Sequence, residues 1–204
     1  VPLPTDPDLP TPLFSVAALA LQTHISATKA GQHHELVLAT LRLHRSVSVE
    51  GATERKLEAE EFVVVRAPTG SNLPFDFKTQ AAAPNTLRKH GAIVVADNET
   101  QFLTFLLNKL DKFNPDVLAS HDLHGTVADI LVSAVHRTKL GIQWSKLGRL
   151  RMRRVPKPMG GSRSLVDYGV GAGRLMLDTL TSCREFSPQK SYTLPYLLEA
   201  LIGE

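Results

Sequence analysis

Three apolar, strand-like runs precede the first helical pattern of this 204-residue chain, and their order limits the folds available to it. They cover residues 13–21, 34–44 and 61–66. The third, EFVVVR, is rich in the β-branched residues that favour strands. After residue 90, short apolar runs alternate with amphipathic helical patterns. This order predicts an α/β fold in which helices cover the faces of a mixed sheet.

The strongest helical signal begins at Asn98, because Asn98 and Gln101 have the spacing of a capping box. Apolar residues then recur at helical intervals. The predicted helix ends at Asn114-Pro115, since the residue before a proline avoids helical geometry.

The remaining segments give shorter predictions. We expect loops over 45–61 and 67–72, strands over 91–97 and 116–120, a helix between Gly125 and Gly141, an irregular stretch over 160–173, a strand or short helix over 174–181, and a last helix from Thr193 to Gly203. Residues 1–12 hold five prolines and are predicted to be a linker, which leaves 13–204 as the domain. Both ends give the impression of cuts in a longer protein, with the domain truncated at its C-terminus.

The composition excludes several classes of protein. A single cysteine, Cys183, rules out a disulfide framework and a zinc site built on several thiolates. It is expected to be a small buried residue in a reducing, intracellular protein. No apolar run approaches the roughly 20 residues that span a bilayer, so no membrane partner is predicted. The formal net charge of +3 says little about partners.

Candidate metal ligands and catalytic groups are scattered. The densest clusters are QHHE at 32–35 and SHDLHG at 120–125, where Asp122 and His124 would share one face of a strand. Both clusters are interpreted as ordinary polar residues, because zinc-binding and nucleophile motifs are absent. The other acids considered stand singly along the chain, at Asp116, Asp129, Asp178 and Glu185.

A basic run is the clearest candidate for a contact surface. Residues 143–165 contain no acid. The candidate contact residues are Trp144, Lys146, Arg149, Arg151, Arg153, Arg154, Lys157 and Arg163. They could follow a phosphate backbone, or they could dock onto another part of a larger protein.

Five segments carry a family resemblance: LPFDFKTQ (73–80), residues 98–125, QWSKLGRLRMRRVPKPMGG (143–161), GRLMLDT (173–179) and KSYTLPYLLEALIG (190–203). Together they resemble the exonuclease-like domain of family B DNA polymerases, and 143–161 resembles the alpha-type catalytic subunits of eukaryotes. The resemblance implies a ribonuclease-H-like (DnaQ-like 3′–5′ exonuclease) fold. For the whole enzyme it implies a nuclear polymerase that uses magnesium to extend RNA primers on a template. The implied partners are the palm and N-terminal domains, primase, an accessory subunit and template-primer nucleic acid.

The same resemblance implies that the exonuclease site is degenerate. Proofreading members carry Phe-Asp-x-Glu-Thr on the first strand, and the matching residues 19–23 place Ala20 and Gln22 where the two acids belong. The acid of the second motif is replaced by Val127, and the third motif would lie beyond Glu204. We therefore expect no metal and no nuclease activity in this domain. Two alternatives remain: an exonuclease that uses displaced acids such as Asp122 and Asp178, and a stand-alone interaction domain.

Overall fold

The computed structural model describes residues 12–28, 31–48, 58–87, 91–141, 143–150, 169 and 171–203. The strands are β1 Phe14–Thr28, β2 Gly31–Val47, β3 Ala59–Val65, β4 Gly91–Val95, β5 Val117–Ser120 and β6 Leu175–Asp178. The α-helices are α1 Phe77–Leu87, α2 Glu99–Phe113, α3 Ala128–Thr138, α4 Thr179–Phe186 and α5 Leu194–Ile202. A π-helical turn, Leu123–Val127, leads into α3, and a 3-10 turn, Gln143–Leu147, follows it. No helix among these residues is long and apolar enough to cross a membrane.

The six strands form one mixed sheet in the order β4-β3-β2-β1-β5-β6. β2 runs antiparallel to both β1 and β3, and the other neighbouring pairs are parallel. The predicted α/β fold with a mixed sheet and flanking helices is therefore confirmed. This architecture is consistent with the ribonuclease-H-like fold that the resemblance implies.

One face of the sheet forms the core. Leu19, Leu41 and Val64 alternate with outward-facing neighbours and pack with buried residues of α2 and α3 in one apolar cluster. The opposite, open face carries the alternate residues. Along one row of register partners these are Glu61, Arg42, Ala18, Ala119 and Leu177. Of these, Arg42, Ala18 and Leu177 are exposed.

The β1–β2 hairpin is longer than the apolar pattern predicted. Pairing continues from Gln22, opposite Leu38, to Thr28, opposite Gly31, with a bulge between Gln22 and Thr23. The predicted strands over 13–21 and 34–44 were too short, because the polar residues beyond them also pair across the hairpin. The loop predicted over 45–61 was too long for the same reason, since β2 extends to Val47 and β3 begins at Ala59.

Helix α2 follows its capping signals. The Asn98 Oδ1 atom accepts a hydrogen bond from the Gln101 N–H at 2.8 Å, and Gln101 Oε1 accepts one from the Asp97 N–H at 2.7 Å. The helix ends at Asn114, whose φ of 45° places it in the left-handed region. Asparagine tolerates that conformation better than most residues.

Four other predictions needed correction. Gly125 does not break the chain: it lies inside the π-helical turn that leads into α3. The run at 174–181 holds the whole of β6 and the start of α4, so it is both strand and helix. Cys183 is half-buried on α4 instead of fully buried. Helix α1 was missed, because its alanine-rich sequence lacks a strong amphipathic pattern and contains Pro84.

The C-terminal helix begins and ends where the sequence predicted. Thr193 occupies the N-cap position of α5, although its side chain makes no capping hydrogen bond. Gly203, with φ of 75°, ends the helix in the left-handed conformation that glycine adopts without strain. The predicted linker lies outside the described residues except for Pro12, as do residues 160–168 of the irregular stretch.

Candidate functional site

A cavity of about 520 Å³ opens on the outer face of the sheet, where β1 and β5 run side by side. Its lining comes from β1, β2, the end of β5, the π-helical turn and the first residues of α4 and α5. The lining residues are Ala18, Leu19, Ala20, Leu21, Thr40, Arg42, Ala119, Ser120, His121, Val127, Thr179 and Leu194. We call this cavity the open-face groove.

Two of the three degenerate positions meet in the open-face groove. Ala20 reaches it from β1, where it pairs with Thr40, and Val127 reaches it from the end of the π-helical turn. Val127 also packs into the core cluster. Gln22 is exposed two residues beyond Ala20 and is not among the lining residues.

The groove lacks the chemistry that a magnesium site needs. Magnesium and manganese are held by hard oxygen ligands, above all carboxylates. None of the lining residues is an acid, and most of them are alanine, leucine or valine. Within the described part of the chain, no three His, Cys, Asp or Glu side chains are grouped so that they could hold a metal ion. The residues present therefore do not fit a metal pair.

Asp178, at the end of β6, is a buried acid that directly precedes Thr179, one of the residues lining the groove. It is 4% exposed, and it accepts hydrogen bonds from the backbone N–H groups of Asp122 at 3.1 Å and His124 at 2.9 Å. It also caps α4 by accepting from Leu180 at 2.9 Å and Thr181 at 3.4 Å. Burial raises its pKa, but these N–H groups and the nearby His124 outweigh burial and lower the pKa below its usual value. Asp178 therefore ties α4 to the loop after β5.

The role of Asp178 as the N-cap of α4 could have been predicted from the sequence. Asp178 stands directly before Thr179-Leu180-Thr181, and aspartate is among the preferred N-cap residues. Its bonds to the loop at 122–124 could not be read from the sequence, because they join segments more than 50 residues apart.

Asp122, the other acid proposed for an alternative nuclease, is also engaged in local hydrogen bonds. Asp122 adopts a left-handed conformation with φ of 57°, and its carboxylate accepts hydrogen bonds from the N–H and hydroxyl groups of Thr126. Asp122 does not line the groove. In the first turn of α3, burial raises the pKa of Asp129, and the charge of Asp122 raises it further. The side chain of Asp122 turns to Thr126, and the backbone N–H of His124 binds Asp178.

Sequence relatives identify the proteins that this chain resembles. The DNA polymerase alpha catalytic subunit of Xenopus laevis is 28% identical to the chain over 195 residues, which are 96% of the chain and 13% of that protein. The Trypanosoma brucei brucei subunit is 30% identical over 188 residues, covering 91% of the chain and 13% of its own length. The chain resembles one segment of DNA polymerase alpha catalytic subunits. The subunit of Mus musculus is 26% identical over 195 residues, again 13% of its length.

These relatives are much longer than the chain. It spans 13% of the length of the first two polymerase alpha subunits that it matches. No protein-family model matches the chain. The similarity to polymerase alpha therefore concerns one domain-sized segment, which agrees with the resemblance found in the sequence.

The QHHE segment at 32–35 serves the fold. Glu35 is buried, and its carboxylate accepts hydrogen bonds from Arg66 Nη2 at 2.9 Å and from the Thr69 N–H at 3.0 Å. Burial raises the pKa of Glu35, but the bonds from Thr69, Arg66 and Ser26 outweigh it and hold that pKa at about 2. His34 Nδ1 lies 3.0 Å from the Thr23 hydroxyl across the hairpin. Glu35 is thus an ionised group held by hydrogen bonds inside the fold.

The described part of the basic run makes contacts within the domain. Lys146 bonds the side chain of Asn108, and Arg149 Nη2 lies 2.6 Å from Asp116 Oδ1. Trp144 belongs to the 3-10 turn. The other candidate contact residues lie outside the described residues, namely Arg151, Arg153, Arg154, Lys157 and Arg163.

Proposed function

We propose that the chain is a non-catalytic, exonuclease-like domain of a polymerase alpha-type DNA polymerase. The supporting observation is the open-face groove, in which Ala20 and Val127 stand where the resemblance expects metal-binding acids. A divalent metal pair loses most of its anionic ligands when these carboxylates are absent. The domain would keep the sheet of a nuclease but lack the carboxylates that bind the metal ions.

The whole protein would be a nuclear DNA-directed DNA polymerase. Its reaction would be template-directed addition of deoxynucleotides to an RNA primer, with magnesium bound outside this domain. Its partners would be template-primer nucleic acid, primase and an accessory subunit. Support comes from the relatives, which are all catalytic subunits of DNA polymerase alpha.

Within that protein, the domain would pack against the palm and N-terminal domains. The open face and the C-terminal helices expose several large apolar side chains, and clustered exposure of this kind marks interaction surfaces. These are Leu175, Leu177, Phe186, Leu194, Leu198 and Leu201. The basic run would add a contact to nucleic acid phosphates.

The non-catalytic assignment is tested by a digestion assay. We expect purified chain to release no nucleotides from labelled single-stranded DNA in magnesium or manganese, because the groove lacks acids. Metal-dependent digestion that disappears in both Asp122→Asn and Asp178→Asn would refute the assignment and support the alternative nuclease. Digestion that survives in both variants would point to a contaminant.

The nucleic acid contact is tested by charge reversal. Replacing Arg151, Arg153 and Arg154 together by Glu should weaken binding of single-stranded DNA to the full-length protein. It should also reduce the slope of log K against log salt by about 2, since each lost phosphate contact contributes about 0.7. The matched control reverses three exposed cations elsewhere, Arg42, Arg45 and Lys78. Unchanged binding and slope in the Arg151, Arg153 and Arg154 variant would instead favour docking of the basic run onto another domain, and equal losses in both variants would show only a general effect of charge.

A further inference from the structure

A second, strongly polar cavity of about 320 Å³ lies away from the groove, between the end of α2, the 3-10 turn and the residue that precedes β6. Three cationic side chains meet there: Lys146, Arg149 and Arg174. Asp111, Asn114 and Ser145 complete most of its wall. Arg174 was not singled out in the sequence, and it is only 9% exposed. A buried arginine beside two more cations needs a physical explanation.

Capping of α2 explains part of this arrangement. The carbonyl groups that follow a helix carry partial negative charge and attract cations. Arg174 Nη1 donates to the Pro115 carbonyl at 2.5 Å, and its Nε donates to the Leu147 carbonyl at 3.1 Å. Arg149 Nη2 donates to the Asn114 carbonyl at 2.9 Å, and its Nε donates to the Asn114 side chain at 3.0 Å. Both guanidinium groups are thereby fixed in position.

One nitrogen of each guanidinium group takes no part in these bonds. In the hydrogen bonds formed among the described residues, Nη1 of Arg149 and Nη2 of Arg174 have no acceptor. Guanidinium groups offer paired donors whose geometry matches phosphate oxygens. Nη1 of Arg149 and Nη2 of Arg174 would be the donors to such a ligand.

The charge balance of the cavity also favours an anion. Lys146, Arg149 and Arg174 face two carboxylates, Asp111 and Asp116. Bonds from Ser15 and then Arg149 hold the pKa of Asp116 at about 2, so Asp116 is ionised and already engaged. Burial, and next the charge of Arg149, lower the pKa of Arg174, so these like charges act on each other. A bound anion would relieve that repulsion.

The walls of the cavity are closely packed. The N–H groups of Arg149 and Leu150 both donate to the Ala172 carbonyl, at 2.8 and 3.0 Å. A Cβ atom on Gly148 would lie 2.6 Å from the same carbonyl oxygen, which no side chain allows. This packing holds the cationic groups in place before any ligand arrives, and preorganised donors bind at lower entropic cost.

We infer that this cavity binds a phosphate group through Lys146, Arg149 and Arg174. The inference rests on the proposed function, in which the basic run contacts nucleic acid, because that run continues directly from Arg149 to Arg151 and Arg153. The phosphate would belong to a nucleic acid strand that enters the basic run. Free phosphate has the same chemistry and is separated by experiment.

The test compares two double variants of the full-length protein. Lys146→Gln with Arg149→Gln removes two positive charges from the cavity, and Arg42→Gln with Arg45→Gln removes the same charge from exposed sites on β2. We expect the cavity variant to bind a fluorescent single-stranded oligonucleotide about tenfold more weakly, since hydrogen bonds to charged groups are worth about 1.5–3 kcal/mol. The salt slope should fall by about 0.7, the contribution of one phosphate. The control should leave both quantities nearly unchanged.

A second arm separates the two sources of phosphate. Inorganic phosphate, titrated into wild-type protein and followed by phosphorus NMR, should bind in a way that depends on Lys146 and Arg149. An oligonucleotide with neutral methylphosphonate linkages should abolish the difference between wild type and cavity variant if the phosphate belongs to a strand. Binding of inorganic phosphate without any oligonucleotide effect assigns the cavity to free phosphate.

Equal affinities and slopes in the cavity and control variants, with no phosphate binding, overturn the inference. The proposed function stands in that case if reversal of Arg151, Arg153 and Arg154 still weakens binding. If loss of the Arg149–Asp116 pair unfolds the double variant, Lys146→Gln alone gives the same comparison. The one side-chain bond of Lys146 among the described residues is to Asn108.

Discussion

Arg66→Ala should destabilise the chain by about 3–5 kcal/mol, the usual cost of removing one partner from a buried ion pair. Both side chains of the Arg66–Glu35 pair are 5% exposed. Arg66 also donates to the Leu36 carbonyl at 2.6 Å and to the Ala67 carbonyl at 2.9 Å, so it links β2 to the loop after β3. Its loss would leave the buried carboxylate of Glu35 without its cationic partner and the carbonyls of Leu36 and Ala67 without this donor. Urea unfolding at neutral pH measures the effect.

The pH dependence gives this prediction a distinct signature. The pKa of Glu35 lies at about 2 in the folded chain against an ordinary value of 4.5. The stability contributed by a lowered carboxylate pKa is present above the unfolded pKa and is lost as the pH falls through the folded one. The difference in unfolding free energy between wild type and Arg66→Ala should therefore shrink as the pH falls from roughly 4.5 to 2.

An exposed arginine supplies the control for Arg66. Arg45 pairs with Glu60 at 2.9 Å, but its side chain is 57% exposed, and surface pairs are worth about 0–1 kcal/mol. A deficit in Arg66→Ala no larger than that in Arg45→Ala, or one that does not change with pH, would show that the buried pair is not what secures this loop.

Asp178→Ala should cost about 3 kcal/mol, because buried N–H groups would lose a charged acceptor and α4 would lose its cap. The carboxylate of Asp178 accepts hydrogen bonds from four backbone N–H groups and so holds the loop at 122–124 against the start of α4. These are the N–H groups of Asp122, His124, Leu180 and Thr181. Asp97, whose side chain is 71% exposed in its pair with Lys78, is the matched control and should change stability by less than about 0.5 kcal/mol on mutation to Ala.

Asp178→Asn distinguishes the role of charge from that of shape. Asparagine keeps one acceptor oxygen but places an amide NH₂ where the second carboxylate oxygen stood, so a donor would face a backbone N–H group. We expect Asp178→Asn to be destabilised nearly as much as Asp178→Ala. Denaturant midpoints for the three proteins check this. Wild-type stability in Asp178→Ala would contradict the structural role assigned to this acid.

Much of the fold could be predicted from local patterns. The order of strands and helices followed from apolar periodicity, and both ends of α2 followed from Asn98, Gln101 and Asn114. The length of the β1–β2 hairpin could not be predicted, because its polar tip is held by cross-strand pairing instead of by burial. Helix α1 lacked a periodic signal, and Gly125 gave a misleading break because the π-helical turn tolerates it.

The candidate site was only partly predictable. The resemblance to family B polymerases picked out Ala20 and Val127, and the structure brings these two together in one groove. The sequence did not reveal the buried hubs at Asp178 and Arg66, nor the meeting of Arg174 with Lys146 and Arg149. These contacts join segments that are far apart in the chain, and single acids or arginines look alike in a sequence whatever they bind.

The central claim is that the place of a nuclease metal pair is occupied by an apolar groove. Manganese binding to the chain, followed by electron paramagnetic resonance, tests it most directly. We predict no manganese site with a dissociation constant below about 1 mM, the range of weak carboxylate sites. A tighter site that is lost in Asp122→Asn or Asp178→Asn, while Asp97→Asn retains it, would contradict the account.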